Sequence, residues 1–320
     1  MIMNKTLAQN IYDMALECGF ENCGIIQISD LDGYKERLNE RKKKVPESEQ
    51  FYKTLDKLTK IQEIYPWGKA IIVCTTWLGK YKYPESLQGK YAKSFFLSPE
   101  SVPTSKEYKD KIKFETWLTE NNIRWEGGEK YGAGRNIPLR YAALKAGLGI
   151  VRKNNFFYTE KGSYVELEGY VIDKECIYKQ SFNLRPCPES CTICQKACKT
   201  HALSAPYTMN PMSCVSFWTT FGKGNIPSHL EESQFSDWIC GCDDCQDACP
   251  YNRKQDWNSG EDFPGLNELE EIIQPQNIIQ ASDEVLCERV IPKTVGHIQA
   301  KDVNVLRICA ERVLKRYNQK

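Results

Sequence analysis

The cysteines are the residues whose type and spacing point most directly to chemistry. Eight of the fifteen cysteines stand in two short runs, and Cys214 lies between the runs. The runs are Cys187, Cys191, Cys194, Cys198 and then Cys240, Cys242, Cys245, Cys249, the last followed by Pro250. Each run ends in C-x2-C-x3-C, the spacing with which bacterial two-cluster ferredoxins hold [4Fe-4S] clusters. The spacing therefore predicts two such clusters and low-potential electron transfer.

The ligands can be divided between the two clusters because the last cysteine of each run crosses to the other cluster. The first cluster then takes Cys187, Cys191, Cys194 and Cys249. The second takes Cys198, Cys242 and Cys245 and needs one more ligand, for which Cys214 and Cys240 are the candidates. A single residue separates Cys240 from Cys242, which is tight for two corners of one cubane. We therefore predict Cys214 as the eighth ligand and leave the role of Cys240 open.

Two other uses of cysteines, disulfides and zinc sites, fit these runs less well. Disulfides would be spread over a secreted fold, whereas the short spacings here are metal spacings. Zinc sites also use paired cysteines, but two interleaved runs with a Cys-Pro end fit iron–sulfur clusters better. The remaining cysteines are scattered and are expected to be small buried apolar residues. They are Cys18, Cys23, Cys74, Cys176, Cys287 and Cys309.

The elements that must position these cysteines suggest an α+β architecture. Residues 1–173 alternate helical and strand patterns and read as one α/β domain, in which residues 70–78 form the clearest buried strand. Residues 105–121 read as an amphipathic helix with Tyr108, Ile112 and Trp117 as core contacts. Residues 174–260 form the two-cluster ferredoxin-like domain. Residues 261–320 form a C-terminal helical cap.

Charge and hydropathy limit the partners and the location. Lys and Arg number 43 and Asp and Glu 42, so the net charge is near zero and broad binding to nucleic acid is not expected, although tRNA is not excluded. The first twenty residues lack an apolar run with a small-residue cleavage site, and no apolar stretch is long enough to span a bilayer. We expect a cytoplasmic protein that does not associate with a membrane.

Four segments of this chain resemble the epoxyqueuosine reductases, which are related to reductive dehalogenases. The second cysteine run, Gly241 to Arg253, is similar to the cluster segment of that family. Three upstream segments, Ala146–Gly149, Arg152–Asn154 and Gly162–Ser163, are similar to its glycine-rich segment. The resemblance is specific over about residues 120–320 and looser before them.

This resemblance implies a cobalamin-dependent reductase. In such proteins an external donor, such as a ferredoxin or flavodoxin, passes electrons through the clusters to cobalt, which reduces the substrate. The α/β domain would hold cobalamin, and the family's ligand division agrees with Cys214 as the eighth ligand. The cofactor-binding residues that the resemblance implies are Gly147, Gly149, Arg152, Lys153, Asn154, Gly162 and Ser163.

The chain departs from the family where the proton donor should be. Epoxyqueuosine reductases carry an aspartate upstream of the Ala-Gly-Leu-Gly segment, but the matching position falls near Ala133, and residues 130–140 contain no acid. Reduction of a carbon centre needs a proton source within hydrogen-bond reach. Related dehalogenases use a tyrosine beside a basic residue, so Tyr131 with Arg135 and Arg140 is predicted to take this role. The cysteine run also has three residues between Cys187 and Cys191, where the family has two.

Two functions therefore compete. The first is a cobalamin-dependent iron–sulfur reductase that acts on a substrate the sequence does not identify. The second is a cobalamin-free electron-transfer protein that serves a partner protein or a corrinoid carrier, and the missing aspartate motivates it. A closed substrate cavity would favour the first function, and a flat surface beside a cluster would favour the second.

Overall fold

The computed structural model describes residues 5–93, 98–127, 136–294 and 297–319. The chain forms two compact units, and neither is continuous in sequence. The first unit comprises Met1–Leu78 and Lys106–Pro188, and the second comprises Gly79–Ser105 and Glu189–Lys320. No helix among the described residues is long and apolar enough to cross a membrane.

The first unit contains a sheet covered by helices. Its helices are α1 Leu7–Glu17, α2 Tyr34–Lys44, α3 Glu49–Lys53, α4 Ile61–Ile64, α5 Lys106–Glu120 and α6 Leu139–Lys145. Its strands are β1 Asn22–Gln27, β2 Ala70–Trp77, β4 Trp125–Gly127, β5 Ile150–Val151, β6 Phe157–Tyr158 and β7 Val165–Ile172. Helix α1 begins where the side chain of Thr6 accepts a hydrogen bond from the backbone of Gln9, and it ends before Gly19, whose φ is +79°.

The main sheet has the strand order β1-β2-β7-β4, and β2 lies in its interior. Successive side chains of a strand point to opposite faces. On one face Ile72 and Cys74 of β2 pack with residues of α1 and α5, among them Ile11 and Phe114. On the other face Ile71 and Val73 pack with α6. The sheet is therefore the middle layer between helices.

Every pairing in this sheet is antiparallel, so the predicted α/β label does not describe it. The apolar run of β2 resembles a strand of a parallel sheet, because parallel strands are usually covered on both faces. Here helices cover both faces of an antiparallel sheet, which produces the same run. Strand β6 pairs with β5 in a separate two-stranded sheet rather than with β7.

The second unit is built from short elements around the two cysteine runs. Its strands are β3 Tyr81–Lys82 and β8 Glu261–Asp262, which pair in parallel. Its helices are α7 Ile193–Ala197, α8 Val215–Trp218, α9 Asp244–Asp247, α10 Pro275–Gln280, α11 Asp283–Val285 and α12 Asn304–Asn318. A π-helical turn, Leu286–Val290, follows α11.

These units divide the chain differently from the predicted boundaries 1–173, 174–260 and 261–320. Residues 79–105 belong with the cysteine runs because Ala92 N–H donates to the carbonyl of Cys240 at 2.9 Å. The C-terminal segment is joined to the same unit, since the Tyr91 hydroxyl donates to the carbonyl of Ile273 at 2.7 Å. The polar partners of Tyr91 and Ala92 are thus far away in sequence, where a local pattern does not reveal them.

Candidate electron-transfer site

The two cysteine runs form matching loop-and-helix segments in the second unit. Cys194 lies in α7 and Cys245 lies in α9, and these two short helices pack against each other. The third cysteine of each C-x2-C-x3-C segment follows its helix, at Cys198 and Cys249. The packing of α7 on α9 therefore brings the two runs into one site.

Three cysteines of the predicted second cluster, Cys214, Cys242 and Cys245, have raised pKa values. Burial raises the pKa of Cys245 well above its usual value, and the nearby thiols of Cys214 and Cys198 raise it further. Burial also raises the pKa of Cys214 to about 11, with Cys198 adding to the effect. The pKa of Cys242 is raised by burial and then by Asp244, Cys214 and Cys245.

This arrangement fits an iron–sulfur cluster chemically. Sulfurs that repel one another when ionised, in a site poor in water, remain thiols unless a cationic centre stabilises the thiolates. Iron supplies that charge, and cluster ligands must be deprotonated to bind it. Among the described residues, no three His, Cys, Asp or Glu side chains stand close enough to hold a single metal ion.

Cys240 lies in a different environment from these four. It is fully buried, and burial followed by the thiol of Cys309 raises its pKa. Its backbone pairs with that of Tyr91 in an isolated parallel bridge. Cys240 is thus part of the buried interior of the second unit.

The cysteines predicted for the first cluster are divided between the two units. Cys191, Cys194 and Cys249 belong to the second unit, and the latter two are buried. Cys194 lies near enough to Cys245 to raise its pKa. Cys187 belongs to the first unit, where Arg152 Nη1 donates a hydrogen bond to its Sγ at 3.8 Å.

A buried ion pair holds the loop between Cys242 and Cys245. The Nζ of Lys93 lies 3.4 Å from Asp243 Oδ2 and 3.1 Å from Asp247 Oδ1, and the backbone N–H of Lys93 donates to the same Asp243 oxygen at 2.8 Å. The side chains of Lys93 and Asp243 are 3% and 1% exposed. Burial raises the pKa of Asp243 to about 6 despite the opposing effect of Lys93. Lys93 was not predicted as part of the site, because it is distant from the cysteines along the chain.

The residues predicted to bind the cofactor make contacts within the protein. Gly147 has a φ of +74°, and a Cβ there would meet the backbone of Gln180. A Cβ at Gly149 would meet the carbonyl of Tyr158. Gly162 forms a turn in which its N–H donates to Thr159 at 3.1 Å, and Ser163 beside it is buried. These glycines therefore have reasons in backbone packing that do not involve a cofactor.

The three polar residues of the same segment are also buried. Arg152, 1% exposed, lies over the ring of Tyr158 at 5.1 Å. Lys153 Nζ donates to the carbonyl of Pro188 at 2.8 Å, and Asn154 Nδ2 donates to the Tyr158 hydroxyl at 2.8 Å. These side chains therefore hold their own loop and join it to the first cysteine run, where Arg152 also donates to Cys187.

Of the predicted catalytic residues, Tyr131 and Arg135 lie outside the described residues, as does Ala133. Arg140 follows the first residue of α6, and its Nη1 donates to the carbonyl of Asn155 at 2.5 Å. Arg140 as a whole is exposed, although protein atoms surround its guanidinium group. Desolvation there, together with the charge of Arg41, lowers the pKa of Arg140 to about 10.

Comparisons with known proteins agree with this site. The 4Fe-4S double cluster binding domain matches residues 187–252. An epoxyqueuosine reductase from Cellulophaga algicola is 28% identical over 242 residues, which are 75% of this chain and 77% of that protein. The two cysteine runs therefore belong to a domain that binds two [4Fe-4S] clusters.

Solved structures share the fold. An epoxyqueuosine reductase from Streptococcus thermophilus has a TM-score of 0.72 at 20% identity, covering 98% of this chain and 82% of that one. An epoxyqueuosine reductase with an epoxyqueuosine-modified tRNA-Tyr stem loop has a TM-score of 0.67 at 20% identity, covering 98% and 84%. The resemblance predicted from the sequence is confirmed. The chain is an iron–sulfur oxidoreductase that resembles the epoxyqueuosine reductases.

Proposed function

We propose that this chain is a cobalamin-dependent iron–sulfur reductase that acts on a substrate other than epoxyqueuosine. The observation that carries the redox part is the packing of α7 on α9, which brings together the two C-x2-C-x3-C segments of the double cluster binding domain. When bound, the clusters supply one-electron transfer at low potential, and cobalamin supplies a strongly reducing cobalt. A ferredoxin, a flavodoxin or a similar protein is the proposed electron donor.

The proposed ligands follow the crossing pattern. Cys187, Cys191, Cys194 and Cys249 hold the first cluster, and Cys198, Cys214, Cys242 and Cys245 hold the second. Lys93 fixes the loop of the second cluster through Asp243, and Arg152 donates to a ligand of the first. These are groups that orient cluster ligands and adjust their charge. Cluster ligands must be reduced thiols, and thiols stay reduced in the cytoplasm. We therefore propose a cytoplasmic location.

The proposal of a different substrate rests on the segment before α6. Residues 130–140 contain no carboxylate, so Tyr131 is proposed as the proton donor, with Arg135 and Arg140 lowering its pKa. The related protein solved with a modified tRNA stem loop makes that RNA the first substrate to assay. Conversion of its epoxyqueuosine to queuosine by this chain under reducing conditions would contradict the proposal of another substrate.

A cobalamin-free electron carrier is the second candidate. It is favoured by one observation: the polar side chains predicted to touch the cofactor are buried and hydrogen-bonded within the protein. Such a protein would transfer electrons to a partner without chemistry of its own.

An anaerobic titration of cluster-loaded protein with cobalamin distinguishes the two functions. We expect one cobalamin to be retained per chain after desalting, with a visible spectrum shifted to the base-off form. Protein that holds both clusters but retains no cobalt would instead be the electron carrier.

A further inference from the structure

The first unit contains a cluster of guanidinium groups outside the residues discussed as cluster ligands. Arg37 and Arg41 lie one turn apart on α2 and therefore share a face of that helix with Tyr34. The ring of Tyr34 packs against that of Tyr141 at 5.6 Å, which brings α6 and its Arg140 to the same place. The guanidinium of Arg37 lies over the Tyr141 ring at 5.8 Å, and Lys145 Nζ lies over it at 5.3 Å.

The charges of all three arginines act on the buried side chain of Tyr34. Burial raises the pKa of Tyr34, and Arg41, Arg140 and Arg37 all act on it in the opposite direction. Arg41 also lowers the pKa of Arg37 and of Arg140, after the larger effect of desolvation. The cluster thus holds like charges near one another at a partly exposed surface.

The acids nearby do not neutralise this charge. Asp56 is held by Lys42 at 2.5 Å, and Glu40 is exposed on the helix surface. Among the residues that the structure describes, no salt bridge within 4.0 Å is formed by Arg37, Arg41 or Arg140. Partly buried like charges are unfavourable unless an anion joins them.

We propose that Arg37, Arg41 and Arg140, arranged around the rings of Tyr34 and Tyr141, form a binding site for a phosphate group of a ligand. A phosphate offers several oxygens and up to two negative charges, and arginine binds such groups with two parallel hydrogen bonds. The tyrosine rings supply the flat walls on which guanidinium groups stack. The site does not depend on cobalamin, although Arg140 also belongs to the proposed catalytic group.

Calorimetric titration of cluster-loaded protein with inorganic phosphate, at constant ionic strength, tests the site. Arg41→Gln is expected to weaken binding by about ten-fold or more, because it removes a charge-assisted pair of hydrogen bonds. Arg41→Lys keeps the positive charge but loses the planar pair of guanidinium N–H donors. Its affinity for phosphate should therefore lie between those of wild type and Arg41→Gln. The matched control is Lys43→Gln, which removes the same charge from an exposed position of α2.

Two further comparisons identify which kind of ligand carries the phosphate. Competition between inorganic phosphate and a short RNA stem loop would assign it to a nucleic-acid backbone. Tighter binding of cobalamin than of cobinamide, lost in Arg41→Gln, would assign it to the nucleotide tail of a corrinoid. Phosphate binding with neither effect would assign it to a small phosphorylated ligand.

The proposal is overturned if wild-type protein binds no inorganic phosphate, if Arg41→Gln binds it as well as wild type, or if Lys43→Gln weakens it equally. Circular dichroism of each variant shows whether the fold is retained. Because the titration needs no cobalamin, it can succeed even when the cobalamin titration fails.

Discussion

The guanidinium of Arg152 donates a hydrogen bond to the sulfur of Cys187 at 3.8 Å. Arg152 is almost fully buried, and Cys187 is a proposed ligand of the first cluster. A buried positive charge beside a thiolate ligand stabilises the more negative, reduced state of a cluster. Arg152, predicted from the resemblance to contact a cofactor, is thus placed to influence a reduction potential.

Replacing Arg152 should therefore lower the potential of one cluster. A hydrogen bond from a charged group contributes about 1.5–3 kcal/mol, so Arg152→Met should shift the one-electron potential of the first cluster by up to roughly 65–130 mV towards more negative values. Arg152→Lys should recover part of the shift. Redox titration followed by electron paramagnetic resonance measures each cluster separately. Arg185→Met, which removes an exposed charge two residues before Cys187, is the control. An equal shift of both clusters would argue against a local effect.

Cys214 and Cys240 should respond differently to the same substitution. Cys214→Ser is expected to lose one cluster, about half of the bound iron, because serine is a poor substitute for a thiolate ligand. Cys240→Ser should retain both clusters, since Cys240 lies beside Cys309 in the core. Iron and sulfide analysis after anaerobic reconstitution gives the answer. Full iron in Cys214→Ser, with loss in Cys240→Ser, would reverse the ligand assignment.

Lys93→Met should destabilise the second unit strongly. It leaves the carboxylate of Asp243 buried without its cation, and breaking a buried pair in this way costs about 3–5 kcal/mol. The double variant Lys93→Met with Asp243→Asn removes both charges and should recover part of the loss. Anaerobic chemical denaturation measures the change. The control is Lys82→Met, whose partner Asp262 is exposed, so its loss should cost under about 1 kcal/mol.

Gly147 can be tested against a glycine with the same backbone angle. Gly147 and Gly89 both have a φ of +74°, but a Cβ at Gly147 would meet the backbone of Gln180, whereas one at Gly89 would meet nothing. Gly89→Ala should therefore cost about 1 kcal/mol for backbone strain alone. Gly147→Ala should cost about 2–4 kcal/mol, since the backbone must also move. Equal costs, measured by thermal unfolding, would show that the close approach is unimportant.

The parts of the site that the sequence predicted are those encoded by short spacings. The packing of α7 on α9 and the nearness of Cys198 to Cys245 follow from two copies of one local pattern. The preference for Cys214 over Cys240 followed from the same reasoning about distance along the chain. It remains a proposal, and the buried position of Cys240 supports it.

The parts that were missed depend on contacts distant in sequence. The order of strands in an antiparallel sheet cannot be read from β2, because both of its faces are apolar. In α5 the predicted core contact Trp117 is confirmed and Ile112, which is 44% exposed, was wrong, whereas the buried Phe114 and Leu118 were missed. The arginine cluster was missed because Arg37 and Arg140 are far apart along the chain.

The discontinuity of the second unit has a consequence for how this protein is made. Synthesis reaches Tyr91 and Lys93 long before Asp243 and Ile273, the residues to which they bind. Domains fold as units once their parts are available. The cluster-binding unit must therefore wait for nearly the whole chain to leave the ribosome, and a fragment that begins at residue 189 would lack the lysine that holds its own loop. We therefore expect iron to be inserted into this protein late, after most of the chain has been synthesised.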